Sequence, residues 1–86
     1  MQTNDSIKIV TRFFAVLDLL KQKKEIRGIN TFTERYGINR RNMLKLVKEP
    51  ERDIFQPAWL SYLVADYNVS PMWLLTGEGA IFTNGN

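Results

Sequence analysis

The chain has 86 residues, with twelve Lys and Arg against nine Asp and Glu, and it contains neither cysteine nor histidine. This length predicts a single domain over residues 1–86, ordered over about residues 5–82, with a modest core. The missing residue types exclude disulfide frameworks, zinc fingers and Ser-His or Cys-His catalysis. No apolar run approaches the ~20 residues that span a bilayer, and the first ten residues lack the pattern of a signal peptide. We therefore expect neither a membrane-spanning helix nor a signal peptide.

Basic residues are concentrated in the first part of the chain. Residues 1–48 hold eleven Lys and Arg against four Asp and Glu, a net charge of +7, whereas residues 49–86 hold one against five, a net charge of −4. This asymmetry predicts one surface that meets a polyanion. A membrane surface is less favoured as a partner, because the basic residues do not border a long exposed apolar face.

The first predicted helix covers residues 5–23, and Asp5 or Ser6 is its expected N-cap. Its apolar residues recur at helical spacing and form a stripe wide enough to be buried on more than one side. The members of this stripe are Ile7, Val10, Phe13, Phe14, Val16, Leu17 and Leu20. We expect them to be core residues.

Two short helices joined by a tight turn are predicted within residues 30–48. The first covers about residues 31–36 and the second about residues 40–47. Gly37 lies where the chain must turn, and glycine enters the left-handed region without a Cβ clash. The segment is therefore predicted to form a helix-turn-helix.

Capping residues support both helix starts. Thr31 and Glu34 have the spacing of a capping box, in which each side chain satisfies a free backbone N–H at the start of the first helix. Asn39 is placed to cap the second helix.

The second of these helices has an apolar side and a basic side. The apolar side, which should touch the first helix, consists of Met43, Leu46 and Val47. The basic side consists of Arg41, Lys45 and Lys48, with Asn42 beside them and Arg40 near the edge. Leu44 lies between the two sides and is expected to be partly exposed. Lys and Arg neutralise phosphates, and Arg and Asn bond the edges of guanine and adenine, so the pattern fits a helix in the major groove of DNA. The charge pattern alone fits a solvated surface helix equally well, and the tight turn before the helix favours DNA.

Proline and glycine divide the rest of the chain into two more helices. Pro57 opens a helix that runs to about Tyr67 and is ended by Asn68. The apolar side of this helix consists of Trp59, Leu60, Leu63 and Val64. Ser70 and Pro71 form a strong start signal for a last helix over residues 72–76, which Gly77 closes. The tail over residues 80–86 is expected to be poorly ordered, except that the apolar pair Ile81 and Phe82 should be buried.

The helix-turn-helix segment resembles that of the lambda-repressor-like DNA-binding domains, the Cro, phage-repressor and XRE-type family. Tyr36-Gly37-Ile38 matches the family's turn, and Phe32, Met43 and Leu46 match its apolar positions. The run NVSPMWLLTGEG over residues 68–79 resembles the closing segment of such domains. Two places differ, because Thr33 replaces a frequent alanine, and Ile29 and Asn30 stand where a phosphate-bracing glutamine is often found.

This resemblance implies an all-α fold, a compact bundle of five helices around a central helix-turn-helix, and no sheet. It implies that Trp73, Leu74 and Leu75 close the core. The residues implied to contact base edges are Arg40, Arg41, Asn42 and Lys45. The residues expected to contact phosphates are Asn39, Lys48 and Arg52, together with Asn30 and Thr31, which begin a helix whose N-terminus attracts anions.

The function that follows is sequence-specific binding of double-stranded DNA by a transcriptional regulator, most simply a phage or prophage-type repressor. We expect a homodimer on a palindromic operator, with the last helix and the Ile81-Phe82 tail as the dimer surface. No cofactor, metal or membrane is expected, and the expected location is the bacterial cytoplasm, at the nucleoid. The chain could also be the N-terminal part of a longer repressor, with a linker beginning in FTNGN at residues 82–86.

An alternative function is a protein-interaction module on the same fold, such as an antitoxin-like or anti-repressor partner whose basic face binds an acidic protein. RNA binding is less favoured, because the aromatic residues have core spacing and form no exposed stacking platform. Enzymatic activity is not expected, because Asp66 and Glu78 are isolated and no nucleophile has a base beside it.

Overall fold

The computed structural model describes residues 3–83, and over that range the chain is helical, with five helices and no strand. The helices are α1 (Asn4–Gln22), α2 (Ile29–Tyr36), α3 (Arg40–Lys48), α4 (Ala58–Tyr67) and α5 (Pro71–Thr76). The prediction of an all-α chain with five helices is confirmed. The chain divides into two units, the first ending at Ile54 with α1 to α3, and the second starting at Phe55 with α4 and α5. Within the described residues, no helix is long and apolar enough to cross a membrane.

Helix α1 starts one residue earlier than predicted. Its N-cap is Thr3, whose hydroxyl oxygen accepts a hydrogen bond from the backbone N–H of Ser6 at 3.1 Å. The prediction of Asp5 or Ser6 as the cap is therefore wrong. Asp5 lies in the first turn instead, where a carboxylate suits the positive end of the helix dipole.

The core of the first unit is built around aromatic contacts between α1 and α2. The rings of Phe13 and Phe32 meet edge to face, with centroids 5.7 Å apart, and the ring of Tyr36 lies 4.9 Å from that of Phe32. Both phenylalanines are fully buried, as are Met43 and Leu46 of α3. These positions were predicted to be core, and their burial fixes the orientation of α3 about its own axis.

Helix α2 starts two residues before the predicted position. Its N-cap is Gly28, which provides no side-chain bond, so the predicted capping box of Thr31 and Glu34 is wrong. Thr31 lies inside the first turn, where its N–H bonds the carbonyl of Gly28 at 3.1 Å. Its hydroxyl oxygen accepts a bond from the backbone N–H of Arg27 at 3.2 Å, so it ties down the loop before the helix.

The turn between α2 and α3 forms as the sequence predicts. Gly37 adopts the left-handed conformation, with φ of 64° and ψ of 33°, and its N–H bonds the carbonyl of Thr33. Asn39 caps α3, and its side-chain oxygen accepts a bond from the N–H of Asn42 at 3.0 Å. Thr33 itself is buried, and its hydroxyl donates to the carbonyl of Asn30 at 3.0 Å. That bond lets a threonine occupy a buried position without an unsatisfied hydroxyl.

The second unit also follows its start and stop signals. Helix α4 begins at Ala58, one residue after Pro57, and ends at Tyr67. Its C-cap is Asn68, which is left-handed with φ of 57°. Ser70 caps α5 by accepting a bond from the N–H of Trp73 at 3.2 Å, and Pro71 occupies its first turn. Gly77 closes the helix with φ of 80°.

Residues 81–83 are paired with the turn between α4 and α5. Val69 and Phe82 form an isolated antiparallel bridge, the N–H of Ser70 donates to the carbonyl of Ile81 at 2.7 Å, and the N–H of Thr83 donates to that of Asn68 at 2.8 Å. Ile81 and Phe82 are half-buried as a result. The rest of the tail, residues 84–86, where a linker was expected to begin, lies outside the described residues.

Two apolar residues that were predicted to be core are exposed. Val47 is 48% exposed, although its neighbour Leu46 is fully buried. Leu75 is 53% exposed beside Leu74, which is 1% exposed. Successive residues of a helix point about 100° apart, so a narrow contact with the rest of the unit covers one of each pair and leaves the other in solvent.

Candidate nucleic-acid interface

One side of α3 forms an open groove of basic character, which we call the basic groove. It is lined by Arg40, Arg41, Leu44, Lys45 and Lys48. Met43 and Leu46 are fully buried on the other side of α3. The residues that line the groove lie three and four apart on the solvent side of the helix. All four cations of the groove belong to exposed residues. The groove therefore presents four positive charges along about two turns of helix.

Arg40 is held in place by a residue of the other helix. Its Nε–H donates to the side-chain oxygen of Asn30 at 2.6 Å. A bond between a guanidinium and a neutral oxygen is charge-assisted and stronger than a neutral one. It joins the first turn of α2 to the first turn of α3. Because it uses only Nε, the two terminal nitrogens of Arg40 keep their N–H donors for another acceptor.

The two asparagines at the start of α3 have different surroundings. The side-chain oxygen of Asn39 is used as the helix cap, so this residue maintains the start of α3. Asn42 supplies the backbone N–H of that bond and is itself half-buried. It does not line the basic groove, although its position next to Arg41 was predicted to bring it to a base edge. The structure thus brings together three of the four residues predicted for base contacts.

The start of α2 borders a second open hollow, lined by Arg27, Gly28, Ile29, Asn30, Thr31 and Glu34. Asn30 and Thr31 were predicted to contact phosphate from this position. The side chains of both are engaged within the protein, that of Asn30 with Arg40 and that of Thr31 with the N–H of Arg27. Any phosphate contact by Thr31 would therefore compete with the bond that fixes its loop.

Arg52, the remaining phosphate residue of the prediction, lies in the loop after α3. Its Nε–H donates to Glu49 Oε2 at 2.9 Å, and both side chains are 47% exposed. Exposed ion pairs of this kind are worth about 0–1 kcal/mol. The pair partly neutralises Arg52 without fixing it strongly, and Arg52 is not among the cations that line the basic groove.

The basic residues and the residues predicted to contact DNA belong to the same unit. All twelve Lys and Arg residues precede Phe55, so they all belong to the first unit. The nine residues predicted for DNA contact belong to it as well. Leu44 lines the basic groove but was not among the nine residues predicted for DNA contact. Its signal in the sequence was its place between the apolar and basic sides of α3.

No protein-family model, no curated protein and no solved structure matches the chain. Within the described residues, no three acidic side chains come together as a metal-binding group. The role of the basic groove therefore rests on its own residues.

Proposed function

We propose that the chain is a sequence-specific regulator that binds double-stranded DNA and acts in transcription by occupying an operator. In this proposal it is a binding protein rather than an enzyme, and its fold is of the lambda-repressor-like helix-turn-helix type. The observation that carries the proposal is the amphipathic character of α3. Met43 and Leu46 are fully buried on one side, and four cations line the groove on the other. The major groove of B-DNA is wide enough to admit such a helix.

Roles within the basic groove follow from its geometry. Arg40, oriented by Asn30, and Arg41 present guanidinium groups at the start of α3, where recognition helices contact base edges. A guanidinium can donate two hydrogen bonds to O6 and N7 of guanine. Lys45 lies one turn further on, and Lys48 lies at the end of the helix. In this proposal Lys48 contacts a phosphate. Asn42 stays a secondary contact in this proposal, because it is half-buried beside the groove.

We propose a homodimer on a two-fold-symmetric operator, with the protein located with the bacterial nucleoid. Helix α5 supports this part of the proposal, because it exposes Met72 by 58% and Leu75 by 53%. Residues three apart lie on the same side of a helix, so the two form one apolar surface. A dimer that buries this surface would bind two half-sites about 34 Å apart, one for each α3.

Selection from a pool of randomised DNA duplexes at near-physiological salt, followed by sequencing, tests the proposal. We expect an enriched two-fold-symmetric site for the native chain. The Arg41→Ala and Lys45→Ala variants should lose preference at separate base positions, because a good bidentate contact discriminates by about 1–3 kcal/mol. Lys8→Ala is the matched control, since Lys8 is exposed on α1 and outside the groove. Salt-sensitive binding without any enriched sequence would show that the groove attracts phosphates only.

A protein-interaction module is the second candidate function, and one observation favours it. Leu44 and Val47 are 39% and 48% exposed on the same helix as the cations, so α3 offers apolar contacts that a partner protein could bury. In that case an acidic protein would bind the basic groove, and duplex DNA would not compete with it. Competition between an acidic protein and the randomised duplex pool therefore separates the two functions.

A further inference from the structure

Leu44 is the apolar member of the basic groove. It is 39% exposed and lies among Arg40, Arg41, Lys45 and Lys48. Arg40 precedes it by four residues and Lys48 follows it by four, so the three side chains lie along one row of the helix. An apolar side chain with a cation on either side is a specific chemical arrangement that the charges alone do not require.

Packing within the protein covers only part of this leucine, which is 39% exposed. Met43 and Leu46 already provide the buried contacts of α3, and both are fully buried. Leu44 points away from them, because each step along the helix turns by about 100°. The exposed fraction of its side chain would gain free energy from burial, so the groove favours a ligand that is anionic overall and has an apolar group between its charges.

The major groove of DNA has that chemistry. Its rims carry phosphates, and each thymine places a C5-methyl group among the polar base edges. Free phosphate and anionic sugars lack an apolar group at this spacing. An acidic protein could offer one, but the proposed function assigns the groove to DNA, and the two sources are separated by the experiment below.

We propose that Leu44 is a specificity-determining residue that contacts the C5-methyl group of a thymine. This inference rests on the proposed function and names a base that the basic groove reads. The thymine lies next to the base pair contacted by Arg40 or Arg41, because Leu44 is the groove residue one turn further along α3. Each half-site then has one position where the methyl group of thymine contributes to the preference for thymine over cytosine. This contribution adds to that of any hydrogen bond to the base.

Replacement of each thymine of the selected site by deoxyuridine, one at a time, tests the inference. This change removes a single methyl group and keeps the base pair. We expect the affinity of the native chain to fall about fourfold at one position per half-site, as for the loss of one buried methyl group. Leu44→Ala should bind the thymine site more weakly, and it should lose no further affinity on uracil substitution. That non-additivity is the signature of a direct contact.

Val47→Ala is the matched control. Val47 is also an exposed aliphatic residue of α3, but it does not line the basic groove. This variant should keep the full sensitivity to uracil. Circular dichroism of both variants checks that α3 is retained, which we expect because alanine has a high helix propensity.

The possible failures are distinguishable. If selection returns no preferred sequence, the proposed function is overturned and this inference with it. If a preferred sequence is found but no thymine in it is sensitive to loss of the methyl group, only the role of Leu44 is overturned. The same holds if the sensitivity persists in Leu44→Ala. Binding of an acidic protein that Leu44→Ala weakens, with no binding of any duplex, would overturn the inference and assign Leu44 to a protein partner.

Discussion

A single hydrogen bond changes the role that we assign to Asn30. The sequence placed this residue at the start of a helix, where an anion is attracted, and so predicted a phosphate contact. In the structure its side-chain oxygen accepts the bond from Arg40 at 2.6 Å. The two residues are ten positions apart, and their contact depends on how α2 and α3 cross. Local sequence patterns carry no information on that crossing, so this pair could not be predicted.

Removal of the Asn30 side chain should therefore affect specificity more than general affinity. In Asn30→Ala we expect Arg40 to lose its orientation, so that discrimination at one base pair falls about five- to tenfold, at the lower end of the range for a single base contact. The dependence of binding on salt should stay the same. Affinity for the selected site and for single-base mutants, measured at several salt concentrations, gives both quantities.

Lys48→Ala is the contrasting variant. Loss of a phosphate contact should weaken binding to all sequences alike and reduce the salt slope by about one unit. If Asn30→Ala behaves like Lys48→Ala, then Asn30 is a phosphate ligand and does not position Arg40.

At the scale of the element, the turn at Gly37 and the caps of α3 and α5 were predicted correctly, whereas the caps predicted for α1 and α2 were wrong. Gly37, Asn39 and the Ser70-Pro71 pair each fix the backbone through their own chemistry, and each has its predicted role. Exposure was less predictable. Val47 and Leu75 fit an apolar pattern but are exposed to solvent. Their exposure could not be predicted, because a sequence does not show how far the covering side chains extend.

Gly37→Ala tests the turn between α2 and α3. A Cβ added at this position would meet no atom within 4 Å, so the cost comes from the backbone alone, whose φ is +64°. An L-residue in this region costs roughly 1–2 kcal/mol, and we expect the free energy of unfolding to fall by about that amount. Chemical denaturation measures the change.

Gly28→Ala provides the control for this variant. Gly28 has no atom within 4 Å of an added Cβ either, and its φ of 162° is extended backbone that other residues adopt. Its effect on the free energy of unfolding should be smaller, about 0.5 kcal/mol, because only the preference of the α2 N-cap for glycine over alanine is lost. An equal loss in the two variants would contradict the assignment of strain to the left-handed turn.

Across the whole chain, the positively charged residues and the most exposed large apolar residues belong to different units. Every Lys and Arg belongs to the first unit, and the second unit carries the most exposed large apolar residues, Met72 and Leu75. The charge asymmetry was evident in the sequence. The apolar surface on α5 was only partly evident in the sequence, because Leu75 was predicted to be a core residue. In the proposed function the first unit binds DNA and the second provides the dimer contact.

A double variant, Met72→Lys with Leu75→Lys, should therefore remain folded and become monomeric. We expect it to bind a single half-site as the native monomer would, and to lose the additional affinity for the two-fold site that comes from binding as a pair. Sedimentation equilibrium measures the first effect and titration of duplexes with one or two half-sites measures the second.

Glu78→Lys is the control for charge in this experiment. It raises the net charge by the same two units and lies beyond the end of α5, but it removes no apolar surface. It should leave the dimer intact. A native chain that is monomeric at the concentrations that saturate DNA would contradict the proposed role of α5.

The pairing of residues 81–83 with residues 68–70 has a further consequence for α5. The N–H of Ser70, the residue that caps this helix, is bonded to the carbonyl of Ile81, and both hydrogen bonds of Thr83 end on Asn68. The short helix is thus enclosed in a loop whose two ends are fastened to each other. A six-residue helix with open ends frays from either side, but this one has to open as a unit together with its tail. We therefore expect the backbone amides of α5 to exchange with solvent in one cooperative step, which hydrogen exchange measures.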